Sequence, residues 1–300
     1  MNISSQGFTT QFRNNLQTLQ NNSNKWLTQL ETGHSIESPS ESPITASCLL
    51  QIQTSRSELG QCQKNIAYAK SLTETAHSCI ESLNRINTDF STYPIQLSEL
   101  NQDAVVAMSS NVNGLLEQSL QVVNEQYMGH FMLSGSKLDT QPFTVDRDTD
   151  GKIVKIYYQG SSAQEDENKI PISSSISINP STSGSENEQI LKVLNRFLEF
   201  RNAFDRNDKS AIQSIGKEII KDNETILVNI MGSLSAKITQ TDHAFSQNDH
   251  ILSNLEQLSS QYSDVDYPDI ITRFQQSQYA YQAALQAGGK ILTLSLLNYL

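Results

Sequence analysis

Asp146, Asp148 and Asp150, followed by Gly151, spell D-x-D-x-D-G, the opening of a calcium-binding loop. Carboxylates on alternate residues can wrap a hard cation in oxygen ligands. Such a loop closes with a bidentate Glu at its twelfth position, and that position here is Tyr157. The run therefore reads as an acidic hairpin turn, with a calcium site as the alternative. His243 and His250 follow Asp242 and Asp249 at a helical spacing. They read as the wet face of a long helix, because zinc needs further ligands at fixed spacings. Cys48, Cys62 and Cys79 are odd in number and include no CxxC pair, so they read as free thiols. No GxSxG, P-loop or strand–helix GxGxxG occurs. Neither a catalytic residue, nor a cofactor, nor a metal site is expected.

The composition points the same way. Of 300 residues, 37% are hydrophobic and 18% charged, and Ser, Asn and Gln are abundant. This suits a long molecule with many wet surfaces better than one globule with a large core. The net charge of −11 comes without any Lys/Arg run, which excludes the basic footprint that nucleic acid or an anionic membrane requires. The N-terminal MNISSQGFTTQFRNN lacks the apolar centre of a cleaved signal peptide. The apolar tail Ile291–Leu300 is shorter than the roughly 20 residues needed to span a bilayer, so no membrane insertion is expected.

Helices must therefore carry the function. Ile271, Phe274, Gln278, Tyr281, Leu285, Gly288, Leu292, Ser295 and Tyr299 alternate in steps of three and four, the seam of a coiled coil. Asp266, Pro268 and Asp269 supply its helix start. The seam is narrow and needs a partner. Phe12, Leu16, Leu19, Ser23, Trp26 and Leu30 offer one with the same spacing, closed by Gly33. The expectation is that the two chain ends pack antiparallel.

Between them, Thr32–Ser47 (TGHSIESPSESPITAS) is a turn-rich connector. A long seam follows: Ile52, Ser55, Leu59, Cys62, Ile66, Ala69, Thr73, Ala76, Ile80, Leu83, Asn87 and Phe90, ended by Pro94. It implies a helix on the order of 60 Å. A second helix carries Val105, Met108, Val112, Leu115, Ser119 and Val122. The helical period is then lost. Asp150-Gly151 between two apolar runs predicts a hairpin, and IPISSSISIN predicts a further half-buried strand. Helix resumes with Ile190, Leu194, Phe197, Arg201 and Phe204 on one stripe. After a turn at Asp205–Asp208, one long helix is expected through Ile212, Ile219, Leu227 and Leu234 to Leu258. The fold class expected is mainly α: an elongated rod of long antiparallel coiled-coil helices with a small β-rich insert. The domains expected are 1–35 with 265–300, 36–139 with 186–264, and 140–185.

These motifs, in this order, resemble the flagellin superfamily of bacterial flagella. The connector is similar to that family's Ser-Gly-Lys-Arg-Ile/Val-x-x-Pro-Ser-Asp-Asp-Pro-x-x-Ala stretch at Gly33, Ile36, Pro39, Ser40, Pro43 and Ala46. It departs at His34, Ser35 and Ser42, so the basic pair and second aspartate are missing. Phe131–Phe143 (FMLSGSKLDTQPF) and Trp26 are similar to the branch that joins hook to filament. The resemblance implies a non-enzymatic structural subunit, located extracellularly in the flagellum and exported without a cleaved signal peptide. It implies polymerisation through the terminal helices, along a seam of Phe12, Leu16, Leu19, Trp26, Leu30, Ile271, Phe274, Tyr281, Leu285 and Leu292. The partners implied are other copies in a ring, a hook-associated protein on the hook side, flagellin on the filament side and a cytoplasmic export chaperone. A filament flagellin, or a calcium-binding coiled-coil adhesin built on Asp146–Asp150, are the alternatives.

Overall fold

A computed structural model describes residues 2–96, 102–161, 169–173 and 175–297. The protein is mainly α with small antiparallel strand pairs in the middle of the chain, as the periodicity predicts. It divides into two compact units, residues 1–58 with 250–300, and residues 59–249.

The first unit holds α1 (Asn2–Thr32) and α7 (Tyr267–Leu297), with the start of a long helix α2 (Pro43–Gln96) and the end of α6 (Glu224–Ser263). Pro43 opens α2, where a missing backbone N–H costs nothing. Pro94 lies in its last turn, close to the predicted stop.

The second unit carries the main core. Here the predicted α2 seam is buried at Ile66, Ala69, Thr73, Ala76, Ile80, Leu83, Asn87 and Phe90. Thr73 meets the cost of burial by donating its hydroxyl to the Ala69 carbonyl at 2.8 Å. From α3 (Gln102–Val123), Val112, Leu116, Leu120 and Val123 enter the same core. The chain then forms β1 (Gln126–Tyr127) and β2 (His130–Phe131), and the predicted hairpin β3 (Phe143–Arg147) and β4 (Ile153–Tyr158).

Helix α4 (Gly184–Asp205) starts at a capping box, Ser183 with Glu186. The whole predicted stripe of Ile190, Leu194, Phe197, Arg201 and Phe204 is buried. Phe90 stacks on Phe197 at 4.1 Å between centroids and meets Phe200 edge-on at 5.9 Å.

Two expectations are corrected. The stretch after Asp208 is not one helix. A π-helical turn at Ile219–Asn223 separates α5 (Lys209–Glu218) from α6. The turn re-phases the apolar stripe, so that Ile212 and Ile219 before it and Leu227, Ile230 and Leu234 after it all reach the core. Arg196 Nη1 donates to Asn223 Oδ1 at 2.8 Å across the turn. The IPISSSISIN run is not one strand either. It folds back as β5 (Ile170–Pro171) on β6 (Ser177–Ile178), placing Ile172 and Ile178 on Ile66 and Ala69.

Candidate assembly interface

Helices α1 and α7 pack antiparallel. Gly33 ends α1 at φ +71°, a left-handed conformation that suits glycine. Asp266 begins α7, its Oδ1 accepting from the Asp269 amide at 3.4 Å. Along the pair, the Ser277 hydroxyl donates to the Leu19 carbonyl at 3.2 Å, and the Arg273 guanidinium lies 5.5 Å from the Trp26 ring centre. Gly288 leaves its backbone open to the Phe12 ring, which occupies the place a Cβ would take.

The structure places Phe12, Leu16, Leu19, Trp26 and Leu30 half-buried, with Phe274 and Tyr281 opposite them. Ile271 and Leu285 stand outside the α1 contact, 43% and 46% exposed. The line that faces α1 runs instead through Ile270, Phe274, Ser277, Tyr281, Ala284 and Gly288. Sequence reasoning missed Ile270, Ser277 and Ala284. For Ser277 and Ala284 the signal was smallness, which lets two backbones approach, rather than hydrophobicity, while Ile270 is as apolar as its neighbour Ile271. Leu292 lies outside the described side chains, as does Ser295; Tyr299 lies outside the described residues. Helix α7 thus packs one line against α1 and leaves two large apolar side chains, Ile271 and Leu285, exposed on a face that also carries Gln275, Gln278 and Gln282.

At the connector end the pair is fastened by backbone. Ser35 N donates to the Ser263 carbonyl at 2.7 Å, and Val265 N to the Gly33 carbonyl at 3.2 Å. The buried Gln29 donates its Nε2 to the Ser35 carbonyl at 2.7 Å, and His34 Nδ1 meets Ser263 Oγ at 2.6 Å. His34 and Ser35 stand where the resembling family has a basic pair, and here they make polar contacts to the α6–α7 junction. Lys25 and Glu41 pair across the connector at 3.1 Å.

The other candidate chemistries are placed as follows. Asp146 lies in β3 and accepts from the Tyr157 hydroxyl at 2.6 Å. Asp148 closes the hairpin turn, its Oδ1 accepting from the amides of Asp150 and Lys152 at 2.9 and 3.2 Å. The acidic run is thus built into the hairpin as turn and strand acceptors. Two ion pairs hold this hairpin down. Arg147 reaches both Glu117 oxygens, at 2.6 and 2.8 Å, and this bond keeps the Glu117 carboxyl below its ordinary range. Lys152 reaches Asp205 at 2.9 Å. His243 and His250 are exposed. Cys79 is buried, and burial, reinforced by the Glu125 carboxylate, pushes its thiol up to about 12. Among the described residues no group of three His, Cys, Asp or Glu side chains could hold a metal ion, and no helix is long and apolar enough to cross a membrane.

The element after α3 is compact. Met128 and Gly129 form the β1–β2 turn at positive φ, and Phe143 is fully buried. Asn124 clamps Phe143, donating to its carbonyl at 2.9 Å and accepting from its amide at 3.0 Å.

Comparison with known proteins bears on this arrangement. Residues 3–138 match the bacterial flagellin N-terminal helical region. No curated protein matches the chain. Three solved structures share the fold. A flagellar hook-associated protein from Vibrio parahaemolyticus is 16% identical, with a TM-score of 0.57 over 75% of this chain and 100% of its own. Bacillus cereus FlgL is 18% identical, with a TM-score of 0.56 over 70% and 99%. The flagellar junction protein FlgL from Legionella pneumophila is 12% identical, with a TM-score of 0.55 over 73% and 99%. The first part of the chain is thus similar to the flagellin N-terminal helical region, on a fold shared with flagellar hook-associated proteins.

Proposed function

We propose that this protein is a structural subunit of the bacterial flagellum that joins hook to filament and polymerises through α1 and α7. The observation that carries the reading is the α1–α7 pair itself. Its α7 helix keeps two large apolar side chains, Ile271 and Leu285, that α1 leaves in solvent, which suits a surface covered by neighbours. The fold shared with hook-associated and junction proteins supports the junction role over a filament role. In this reading the assembly surface draws on Phe12, Leu16, Leu19, Trp26 and Leu30 of α1, on Phe274 and Tyr281 that face them, and on Ile271, Leu285 and Leu292 of α7. Copies of the chain form a ring, with a hook-associated protein on one side and flagellin on the other. An export chaperone covers the exposed apolar side chains of α7 before secretion through the flagellar channel. The protein contributes contacts and no catalysis.

Deletion of the gene is the test. Hooks without filaments, and flagellin shed into the medium, are expected by electron microscopy and immunoblot. Intact filaments on the deletion strain overturn the junction role.

A further inference from the structure

Within the second unit, three buried amide atoms that find no partner among the described residues gather at the π turn. Asn87 of α2 is 3% exposed. Its Nδ2 donates to the carbonyl of Ile219, the first residue of the turn, at 3.4 Å, while its Oδ1 is buried and unpartnered. Asn223, the last residue of the turn, is fully buried. Its Oδ1 accepts from Arg196 Nη1 at 2.8 Å, while its Nδ2 is buried and unpartnered. The third atom is Asn84 Oδ1, one helical turn before Asn87 on the same face of α2. Turning an amide over relieves neither Asn87 nor Asn223. Asn87 would set its oxygen against the Ile219 carbonyl, and Asn223 would set its NH2 against the Arg196 guanidinium. Ile219 and Asn223 lie four residues apart in a wide turn and share its buried face, so Asn87, seated on Ile219, neighbours Asn223.

We propose that the seam between α2 and the π turn binds one buried water, which accepts from Asn223 Nδ2 and donates to Asn87 Oδ1 and Asn84 Oδ1. The three atoms offer one donor and two acceptors. That is the complement of a water using one lone pair and both hydrogens, and about three bonds is the usual number for a buried water. Ions do not fit. A cation would meet the Arg196 guanidinium that holds Asn223, and an anion would meet two amide oxygens. Buried amides left unpaired are costly, and the water removes that cost at all three. It also pins the turn to α2, and with it the change of phase that brings both Ile219 and Leu227 into the core. The inference goes beyond the junction reading and does not depend on it.

The test uses the full chain with heavy nitrogen in its asparagines. Rotating-frame NMR should show a cross-peak between the Asn223 side-chain amide and a slowly exchanging water. A missing water signal, or a direct bond between the Asn87 and Asn223 amides, overturns the site. Unfolding in urea gives a second measure. Asn87→Leu and Asn223→Leu should each lower the folding equilibrium constant roughly tenfold, because each leaves the water and the other amide short of a partner. The double variant should lose roughly tenfold less than the product of the two single losses. The separate contacts of the two side chains, to Ile219 and to Arg196, cancel in this comparison. A double loss equal to the product overturns the shared water. Where a variant does not fold, the water signal of the unaltered chain decides.

Discussion

Helix α4 and helix α7 are both amphipathic, but they finish their packing differently. Along α4, Ile190, Val193, Leu194, Phe197, Phe200, Ala203 and Phe204 are all buried by elements of the same unit. Its one buried charge, Arg201, is 2% exposed and donates to the Ile153 carbonyl and to Asn113 Oδ1. Along α7, the α1-facing line mixes Ile270, Phe274 and Tyr281 with the small Ser277, Ala284 and Gly288, while Ile271 and Leu285 face solvent. Helix α4 places its largest side chains where its own chain covers them. Helix α7 mixes small residues into its covered line and leaves two large ones, Ile271 and Leu285, outside. A helix built the first way stabilises a monomer. On the proposed reading, a helix built the second way holds contact area for other chains.

The largest test of this contrast is Phe197→Ala. Its ring stacks on Phe90 in a fully buried site. The substitution should cost about 3–5 kcal/mol, seen as a lower midpoint in urea. A loss below about 1 kcal/mol would mean that α4 is not the anchor of its unit. Next in size is Gly288→Ala. A helix gains about 0.8–1.0 kcal/mol from Ala over Gly at an open position. Here the new methyl would overlap the tip of the Phe12 ring, and overpacking of this kind costs about 1–3 kcal/mol. The clash should win and push α1 away from α7. Trp26 fluorescence should shift to the red while the melt of the second unit is unchanged. A stabilised variant with unmoved fluorescence would show that the two helices do not dock along the line of Gly288.

This same line explains what was legible in the sequence. The α4 stripe could be read because large apolar residues recur at helical spacing and the core rewards them directly. Both terminal helices, their antiparallel pairing, Gly33 as the stop and Asp266 as the start could be read for the same kind of reason. The phase of α7 could not. Hydrophobicity ranks Leu285 above Ala284, whereas close approach of two backbones rewards the smaller residue, and it cannot choose between Ile270 and Ile271. The π turn was hidden because one inserted residue moves the stripe without breaking its apolar character. The turn between β5 and β6 was hidden by serine. The Ser173 hydroxyl accepts from the amides of Ser175 and Ile176, and repeated Ser-Ile gives no sign of which serine does this.

The smallest expected effect on stability is Leu285→Ala. At a buried leucine such as Leu234, which is fully covered, truncation should cost about 2–5 kcal/mol. Leu285 is 46% exposed and lies off the α1-facing line, so its loss should move monomer stability by no more than about 0.5 kcal/mol. If its side chain serves other copies, the effect must appear in assembly instead. The variant should be exported at the normal level yet compete poorly with the wild-type chain for incorporation into flagella. Measured together, monomer melting and the ratio of variant to wild type in purified flagella separate the two roles. A drop in melting as large as that of Leu234→Ala would show that Leu285 already packs within its own chain. Equal incorporation would show that the outward face of α7 is ordinary solvent-facing surface. Only an unchanged melt combined with reduced incorporation fits a helix whose exposed apolar side chains are covered by its neighbours.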